Sequence, residues 1–216
     1  MKAPRKIWVL ALAALLAAVP AFAQTPAAVP PAPPADRAWS FFTSAYFFAV
    51  PDGDDYVQPL FTADRDRLHL EARYNYEGTK TGSVWAGYNL GGGQTVTWEL
   101  TPMVGGVFGE TKGLAPGYKG SIGWRALQAY SESEYVIDTS STADSFLYNW
   151  SEFTVAPAEM FRVGLVIQRT RAYQTERDVQ RGLIVGVSWK RAEFTLCVFN
   201  PDVDKPTVAW SMGWNF

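Results

Sequence analysis

The sequence contains little cysteine, little histidine and few charges. Cys197 is the one cysteine and His69 the one histidine among 216 residues, which excludes a disulfide scaffold and a cysteine zinc site. We therefore expect neither a metal nor a cofactor. Charged residues make up 19% of the chain and the net charge is -2, which excludes the concentrated basic surface of a nucleic-acid-binding protein. Aromatic residues, at 15%, and glycine, with 18 copies, are plentiful and favour an all-β chain.

Long apolar runs are absent beyond the extreme N-terminus, which excludes a bundle of transmembrane helices. Residues 1–23 have the pattern of a secretory signal peptide, because three basic residues precede an apolar segment at 7–19 and an Ala-Phe-Ala cleavage pattern at 21–23. The apolar segment is too short to cross a bilayer core of roughly 30 Å as a helix. Residues 24–37 are rich in proline and alanine and predict a disordered linker, which leaves 38–216 as one folded domain.

Most of the folded domain alternates apolar and polar residues. From Leu68 to Glu77, the even positions carry Leu, Leu, Ala, Tyr and Tyr, and the odd positions carry His, Glu, Arg, Asn and Glu. Strict alternation places the two sets on opposite faces of a β-strand, and no comparable stretch has the period of a helix. The pattern predicts strands near 39–50, 67–77, 81–90, 95–104, 119–136, 145–155, 160–171, 180–189, 192–199 and 207–216.

The predicted connections differ between the two ends of the strands. Short turns lie near 78–79, 156–159 and 190–191, and longer polar loops at 51–66, 138–144, 172–179 and 200–206. This arrangement is typical of an antiparallel up-and-down transmembrane β-barrel. Two connections do not fit: 91–94 is too short for the long-loop end, and 105–118 is too long for the short-turn end and is either a long turn or a plug folded inward. The segment 119–136 is also long enough for two strands. We predict about ten strands, with eight or twelve as alternatives.

Alternation alone does not decide which face is inside. A soluble barrel would turn its apolar side chains inward around a ligand. The opposite orientation is favoured because no helical pattern exists to cover an apolar sheet from water, and because strands of about ten residues can cross a bilayer. Aromatic residues near strand ends, as at a membrane interface, support it further. The aromatic side chains predicted to face outward are Tyr74, Tyr76, Trp98, Trp189, Trp210 and Trp214.

The final residues continue the alternation and end on an aromatic side chain. With the signal peptide and the β meander, they resemble the small Gram-negative outer-membrane β-barrel superfamily. In that superfamily a terminal aromatic residue, preceded by apolar residues at alternate positions, is read by the barrel-assembly machinery. Trp210, Met212, Trp214 and Phe216 match this assembly signal. The resemblance implies export through the periplasm to the bacterial outer membrane, with its lipids and lipopolysaccharide as partners. It implies neither an activity nor an oligomeric state.

The polar face of the strands supplies the candidate site. These residues could fill the interior with ion pairs, or line a narrow path with cation preference, since acids outnumber bases. We expect a small lumen, which favours filling. The predicted lumen network comprises His69, Glu71, Arg73, Asn75, Glu77, Glu99, Glu132, Glu134, Asn149, Arg162, Gln168, Lys190 and Glu193.

Three smaller features allow other functions. His69 and Glu71 share a strand face about 7 Å apart and could act as an acid–base pair of a lipid A or phospholipid modifying enzyme, although no hydrolase motif accompanies them. Arg169 and Arg171 are suited to lipopolysaccharide phosphates at the outer rim. The acidic residues Asp52, Asp54 and Asp55 lack the spacing of a calcium loop. We predict an outer-membrane barrel without catalysis, either structural or a narrow passive channel, with the enzyme as the alternative.

Overall fold

The structure of the chain, a computed structural model, describes residues 38–51, 53–140, 145–169 and 179–216. The predicted signal peptide and linker lie outside the described residues. Thirteen strands run through the described part of the chain: β1 (Ser40–Ala49), β2 (Tyr56–Arg65), β3 (Leu68–Tyr74), β4 (Thr81–Tyr88), β5 (Leu90–Gly92), β6 (Val96–Gly109), β7 (Gly113–Trp124), β8 (Leu127–Asp138), β9 (Phe146–Ala158), β10 (Phe161–Arg169), β11 (Val179–Trp189), β12 (Ala192–Phe199) and β13 (Thr207–Asn215).

The strands form one antiparallel sheet that closes on itself. Strands that follow each other in the chain pair, except β4 and β5. In addition β1 pairs with β13 and β4 with β6, so twelve strands make a closed barrel. The remaining strand, β5, is three residues long and extends β4 along β6. Closure pairs the strands that would otherwise be free edges. The barrel therefore has twelve strands rather than the ten we favoured from the sequence. The described residues contain no helix long and apolar enough to cross a membrane.

The two ends of the barrel differ in their connections. The turn end, where β1 begins and β13 ends, has tight turns at 66–67, 93–95, 125–126, 159–160 and 190–191. The loop end has the connections 50–55, 75–80, 110–112, 139–145, 170–178 and 200–206. Three of the tight turns contain a non-glycine residue in the left-handed region, namely Asp66, Arg125 and Lys190 with φ of 54°, 53° and 57°. Asp66 has the short polar side chain that tolerates this conformation, and at Arg125 and Lys190 the tight reversal imposes it.

The strand map from the sequence needs four corrections. The expected loop at 51–66 contains β2, and the irregular region 105–118 contains the end of β6 and the start of β7. The segment 119–136 is two strands joined by a turn at 125–126, which was the alternative left open. Residues 78–79 belong to a connection at the loop end, not to a tight turn. Proline and glycine inside β2 and β7 obscured the alternation that identified the other strands.

Apolar side chains face outward from the barrel. Leu70, Trp98 and Trp210 are exposed by 38%, 43% and 45%, whereas Glu71 on the opposite face of β3 is exposed by 4%. This is the orientation the sequence argument favoured. Tyr76 is an exception, since it is 5% exposed and points inward. The alternation stops there because β3 ends at Tyr74 and Asn75 takes a left-handed φ of 63°.

The loop half of the interior is filled by apolar and aromatic side chains. Trp150 packs edge-to-face against Phe199, with ring centroids 5.6 Å apart, and Phe48 stacks on Tyr56 at 4.6 Å. Aromatic pairs in these geometries add to the stabilisation from burial alone. We call this set the apolar layer: Phe48, Trp85, Met103, Val107, Ala115, Val136, Phe146, Tyr148, Trp150, Val166, Ile184, Cys197, Phe199 and Ala209.

Gly105 and Gly106 give a matched test of this packing. A Cβ at Gly105 would overlap the indole ring of Trp85, whereas a Cβ at Gly106 would meet nothing within 4 Å. Gly105→Ala should therefore lower the free energy of unfolding by about 1–3 kcal/mol, because Trp85 must leave its packed position. Gly106→Ala should stay within about 0.5 kcal/mol of the parent. Urea unfolding of both variants measures the difference, and equal stabilities would contradict the packing of Trp85 on Gly105.

Candidate functional site: the barrel interior

Ionisable side chains meet inside the barrel beside the apolar layer. Strands β2, β3, β7 and β8 supply most of them, and one comes from the loop after β3. Alternation places positions 69, 71 and 73 of β3 on the same inward face. We call this group the ion cluster: Asp64, His69, Glu71, Arg73, Glu77, Lys119, Glu132 and Glu134.

His69 is held between two carboxylates. Its Nδ1 lies 2.8 Å from Asp64 Oδ1 and its Nε2 lies 3.0 Å from Glu71 Oε2. Asp64 is fixed in turn by Asn89, whose Nδ2 donates to Asp64 Oδ1 at 2.8 Å. Both ring nitrogens are therefore engaged, which suits a positively charged imidazolium. The imidazole has no nitrogen left to take a proton from a nucleophile.

Glu71 and Arg73 form the centre of the ion cluster. Glu71 accepts hydrogen bonds from Arg73 Nε and Lys119 Nζ as well as facing His69. Arg73 also donates from Nη1 to Glu134 Oε2 at 2.6 Å, and its guanidinium lies 4.6 Å from the ring centroid of Trp85. Buried charges are tolerated only when paired and hydrogen-bonded in this way. The guanidinium therefore ties β3 to β8 across the interior.

Glu77 enters the interior from the loop between β3 and β4 and has no exposed surface. It accepts a hydrogen bond from Ser83 Oγ at 2.7 Å, and its Oε1 lies 3.8 Å from Arg73 Nη1. Burial raises the pKa of the Glu77 carboxyl group, against the opposing effect of the nearby Arg73 charge. The loop thus closes over the ion cluster and the adjoining Trp85.

A cavity of about 470 Å³ occupies the turn half of the barrel. Tyr46, Tyr130 and Trp150 line it beside a second ion pair, in which Arg162 donates to Glu152 and also to Thr195 Oγ1 at 3.0 Å. Near the turn end the lining residues Gln128, Ser188 and Glu193 are exposed. The cavity therefore opens to solvent at the turn end.

The cavity does not continue through the apolar layer. Ala115, Val136, Ile184, Phe199 and Ala209 each have a relative exposure of 0%. A water-filled path beside any of these side chains would leave part of its surface accessible. Among the described residues, the interior is thus a blind cavity, closed on the loop side by packed side chains.

The structure places most of the predicted lumen residues inside the barrel. Glu99 and Glu193 occupy inward positions close to the turn end, where they are exposed rather than buried. Gln168 is buried at an inward position of β10. The remaining inward residues of the prediction belong to the ion cluster or line the cavity: His69, Glu71, Arg73, Glu77, Glu132, Glu134 and Arg162.

Three predicted lumen residues lie elsewhere. Asn75 stabilises the connection after β3, since its Nδ2 donates to Val57 O at 2.9 Å and its Oδ1 accepts from Lys80 N at 2.8 Å. Lys190 sits in a tight turn with its ammonium 4.8 Å from the ring centroid of Trp189. Asn149 faces outward, because the inward positions of β9 are taken by its even-numbered neighbours.

The sequence prediction missed other members of the site. Asp64 lies in β2, which was expected to be a loop, and Lys119 lies at the edge of the ambiguous region of β7. Glu152 was missed because β9 carries both large and polar residues on each face, so its register is not evident from polarity. A carboxylate or ammonium close to a strand boundary was the only signal available for Asp64 and Lys119.

The predicted rim and assembly residues that the structure describes are on the outer face. Arg169 is exposed at the last position of β10, and Arg171 lies outside the described residues. The described residues contain no group of three metal-ligating side chains that could hold an ion. All four residues of the predicted assembly signal are exposed on or directly after β13: Trp210, Met212, Trp214 and Phe216.

Glu71→Gln tests the ion cluster. The amide removes a negative charge shared by His69, Arg73 and Lys119, so the free energy of unfolding should fall by about 3–5 kcal/mol. Glu99→Gln is the matched control, because Glu99 faces inward but is exposed. This substitution should change the free energy of unfolding by less than about 0.5 kcal/mol. Urea unfolding followed by tryptophan fluorescence measures both, and a Glu71→Gln variant as stable as the control would contradict the cluster's role.

Comparison with known proteins assigns no family. No protein-family model matches the chain, and no curated protein matches it significantly.

Proposed function

We propose that the chain is an integral β-barrel protein of the bacterial outer membrane, with a structural rather than a conducting or catalytic role. The observation that carries this proposal is the apolar outer face of a closed barrel. Side chains such as Leu165, Met212 and Phe153, exposed by 56%, 53% and 55%, would be unfavourable in water over so large a continuous surface. Acyl chains are the solvent that fits this face.

The ends of the strands also suit a bilayer. Aromatic side chains stand at or next to the turn end, including Trp124, Trp189 and Trp214, and at the loop end, including Tyr74 and Phe108. Amphipathic rings favour the two interfaces between lipid tails and water. The tight turns lie at the end where β1 begins and β13 ends, and in outer-membrane barrels the short turns face the periplasm. Arg169 would then lie at the outer rim, where a guanidinium can bind lipopolysaccharide phosphates.

The blind interior favours a structural role over a passive channel. The fully buried side chains of the apolar layer leave no accessible surface along the loop half. The cavity therefore communicates only with the periplasmic side in the proposed orientation. The enzyme alternative is disfavoured because both nitrogens of His69 are engaged by carboxylates. Glu71 is likewise committed to three cationic partners.

The proposed location predicts heat-modifiable migration of the membrane-extracted chain. Unboiled protein in SDS should migrate faster than boiled protein, because a closed hydrogen-bonded barrel resists the detergent until it is heated. Fractionated cells should contain the chain in the outer membrane. A maltose-binding protein expressed in the same cells is the control for the soluble periplasm. Recovery of the chain with that control, without a heat shift, would refute the membrane location.

The closed interior predicts silence in planar bilayers. The purified chain should insert without producing discrete conductance steps in potassium chloride, since packed side chains block the loop half. An open porin that is purified separately and added to the bilayer by the same procedure provides the positive control for insertion and recording. Reproducible steps that persist over a range of salt concentrations would favour the narrow-channel function instead.

A further inference from the structure

One part of the outer face is polar. The outward positions of β8 and β9 carry Ser131, Ser133, Asn149 and Ser151, which are adjacent across the two strands. Elsewhere the outward positions of the described strands are apolar, aromatic or glycine, with two kinds of exception. Thr43 donates its hydroxyl to Leu60 O, and arginines occur near strand ends at Arg65, Arg169 and Arg181. We call the four residues on β8 and β9 the polar patch.

The polar patch consists of uncharged hydrogen-bonding groups, and three of its four side chains are linked to one another by hydrogen bonds. Ser131 Oγ lies 3.0 Å from Ser151 Oγ and 3.3 Å from the hydroxyl of Tyr118. Asn149 Nδ2 lies 3.4 Å from Ser131 Oγ, and Ser151 Oγ donates to Asn149 Oδ1 at 3.2 Å. Ser133 donates to Tyr148 O at 2.9 Å. Hydroxyl and amide groups can both donate and accept, so the patch offers the two kinds of group at once.

The polar patch lies within the apolar belt and not only at its edge. Ser131 is the fifth residue of β8 and Ser151 the sixth residue of β9, whose lengths are 12 and 13 residues. Tyr135 and Ile137 continue β8 toward the loop end, and Phe153 and Val155 continue β9 toward the turn end, all exposed. Water is absent at this depth, so any donor or acceptor capacity that these hydroxyl and amide groups do not use within the barrel is expensive to leave facing hydrocarbon.

The shape of this surface is also suited to close contact. The four patch side chains are small and half-buried, and Gly120 lies beside Ser131 on β7. Protruding rings surround them, with Tyr118, Tyr135 and Phe153 exposed by 40%, 47% and 55%. Small polar residues let neighbouring transmembrane elements approach closely and hydrogen-bond. A recessed polar floor beside projecting rings can receive the same rings from another molecule.

We propose that the polar patch is the contact surface for a second copy of this chain, forming a twofold-symmetric dimer within the membrane. The inference rests on the proposed membrane location. A twofold axis brings identical surfaces together, which requires a patch that is complementary to itself. Uncharged groups that both donate and accept meet this requirement, and the recessed floor matches the projecting rings beside it. An anionic lipid head group would instead require cationic side chains among the patch residues, which contain none.

Single cysteines placed in the polar patch test the dimer directly. Ser131→Cys and Ser151→Cys place thiols at its centre, while the native Cys197 points inward and has no exposed surface. Ala45→Cys is the matched control, because Ala45 faces outward on β1, six strands away from β8 in either direction round the barrel. The full chains are folded into phosphatidylcholine vesicles and oxidised with copper phenanthroline. Both patch variants should give severalfold more disulfide-linked product of doubled mass than the control.

A double variant removes polar groups of the patch without adding thiols. Asn149→Leu combined with Ser151→Val should convert the particle from two chains to one, measured by light scattering in a mild detergent. Thr43→Val, which also replaces an outward polar residue, should leave two chains per particle. Unboiled gels verify that every variant is folded, so that a change in particle mass cannot be attributed to unfolding of the barrel.

The outcomes separate the dimer from the proposed function. Folded patch variants that cross-link no more than Ala45→Cys would overturn the dimer while leaving the membrane barrel intact. Native mass spectrometry could instead find one chain with a bound lipid that is absent from the variant combining Asn149→Leu with Ser151→Val. This result would also overturn the dimer and would assign the polar patch to a lipid. Failure of the parent chain to give a heat-shifted band in vesicles would contradict the membrane location itself.

Discussion

The pairing of Arg73 with Glu71 and Glu134 is the interaction on which the rest of the interior depends. A guanidinium inside a closed barrel cannot reach bulk water, so its charge must be balanced by carboxylates within hydrogen-bonding distance. Glu71 meets that need and in turn orients His69 and Lys119. The alternation of β3 allows this because it turns three ionisable side chains toward one another. It turns the apolar side chains of the same strand outward for the same reason.

The interior is therefore organised in three parts along the barrel. Packed apolar side chains fill the loop half, the ion cluster adjoins them, and an open cavity occupies the turn half. The cation–π contact between Arg73 and Trp85 joins the first two parts. At the cavity wall Glu152 and Arg162 form a second ion pair, so that each of these charges also has a partner. Such an interior stabilises one arrangement of strands, which agrees with the structural role we propose.

The alternation in the sequence predicted the barrel and the direction of its faces, but not every strand. β3, β10 and β13 carry an apolar residue at almost every second position, so their register follows from polarity alone. β2 contains Pro59, and β7 contains Pro116 with several glycines, so neither presents that pattern. Their strand conformation is imposed by neighbours on both sides and by closure of the sheet. This is information that a single segment of sequence does not contain.

The candidate site was predictable to the extent that its residues lie on regular strands. His69, Glu71 and Arg73 follow from the alternation of β3, whereas Asn75 does not, because its left-handed φ ends the strand register. Asn149 reverses the expectation that polar residues face inward. Tyr148 and Trp150 fill space between other aromatic side chains, and this packing turns Asn149 and Ser151 to the outside. Packing across the barrel, which the sequence does not display, thus decided the register of β9.

The central claim is that lipid surrounds the outer face and does not reach the interior. Fluorescence quenching by vesicles of acyl-chain-brominated phosphatidylcholine measures this most directly. A chain that retains only Trp210, which is 45% exposed on β13, should be strongly quenched. A chain that retains only Trp150, which is 5% exposed inside the barrel, should be quenched weakly. Equal quenching of the two, or stronger quenching of Trp150, would contradict the account.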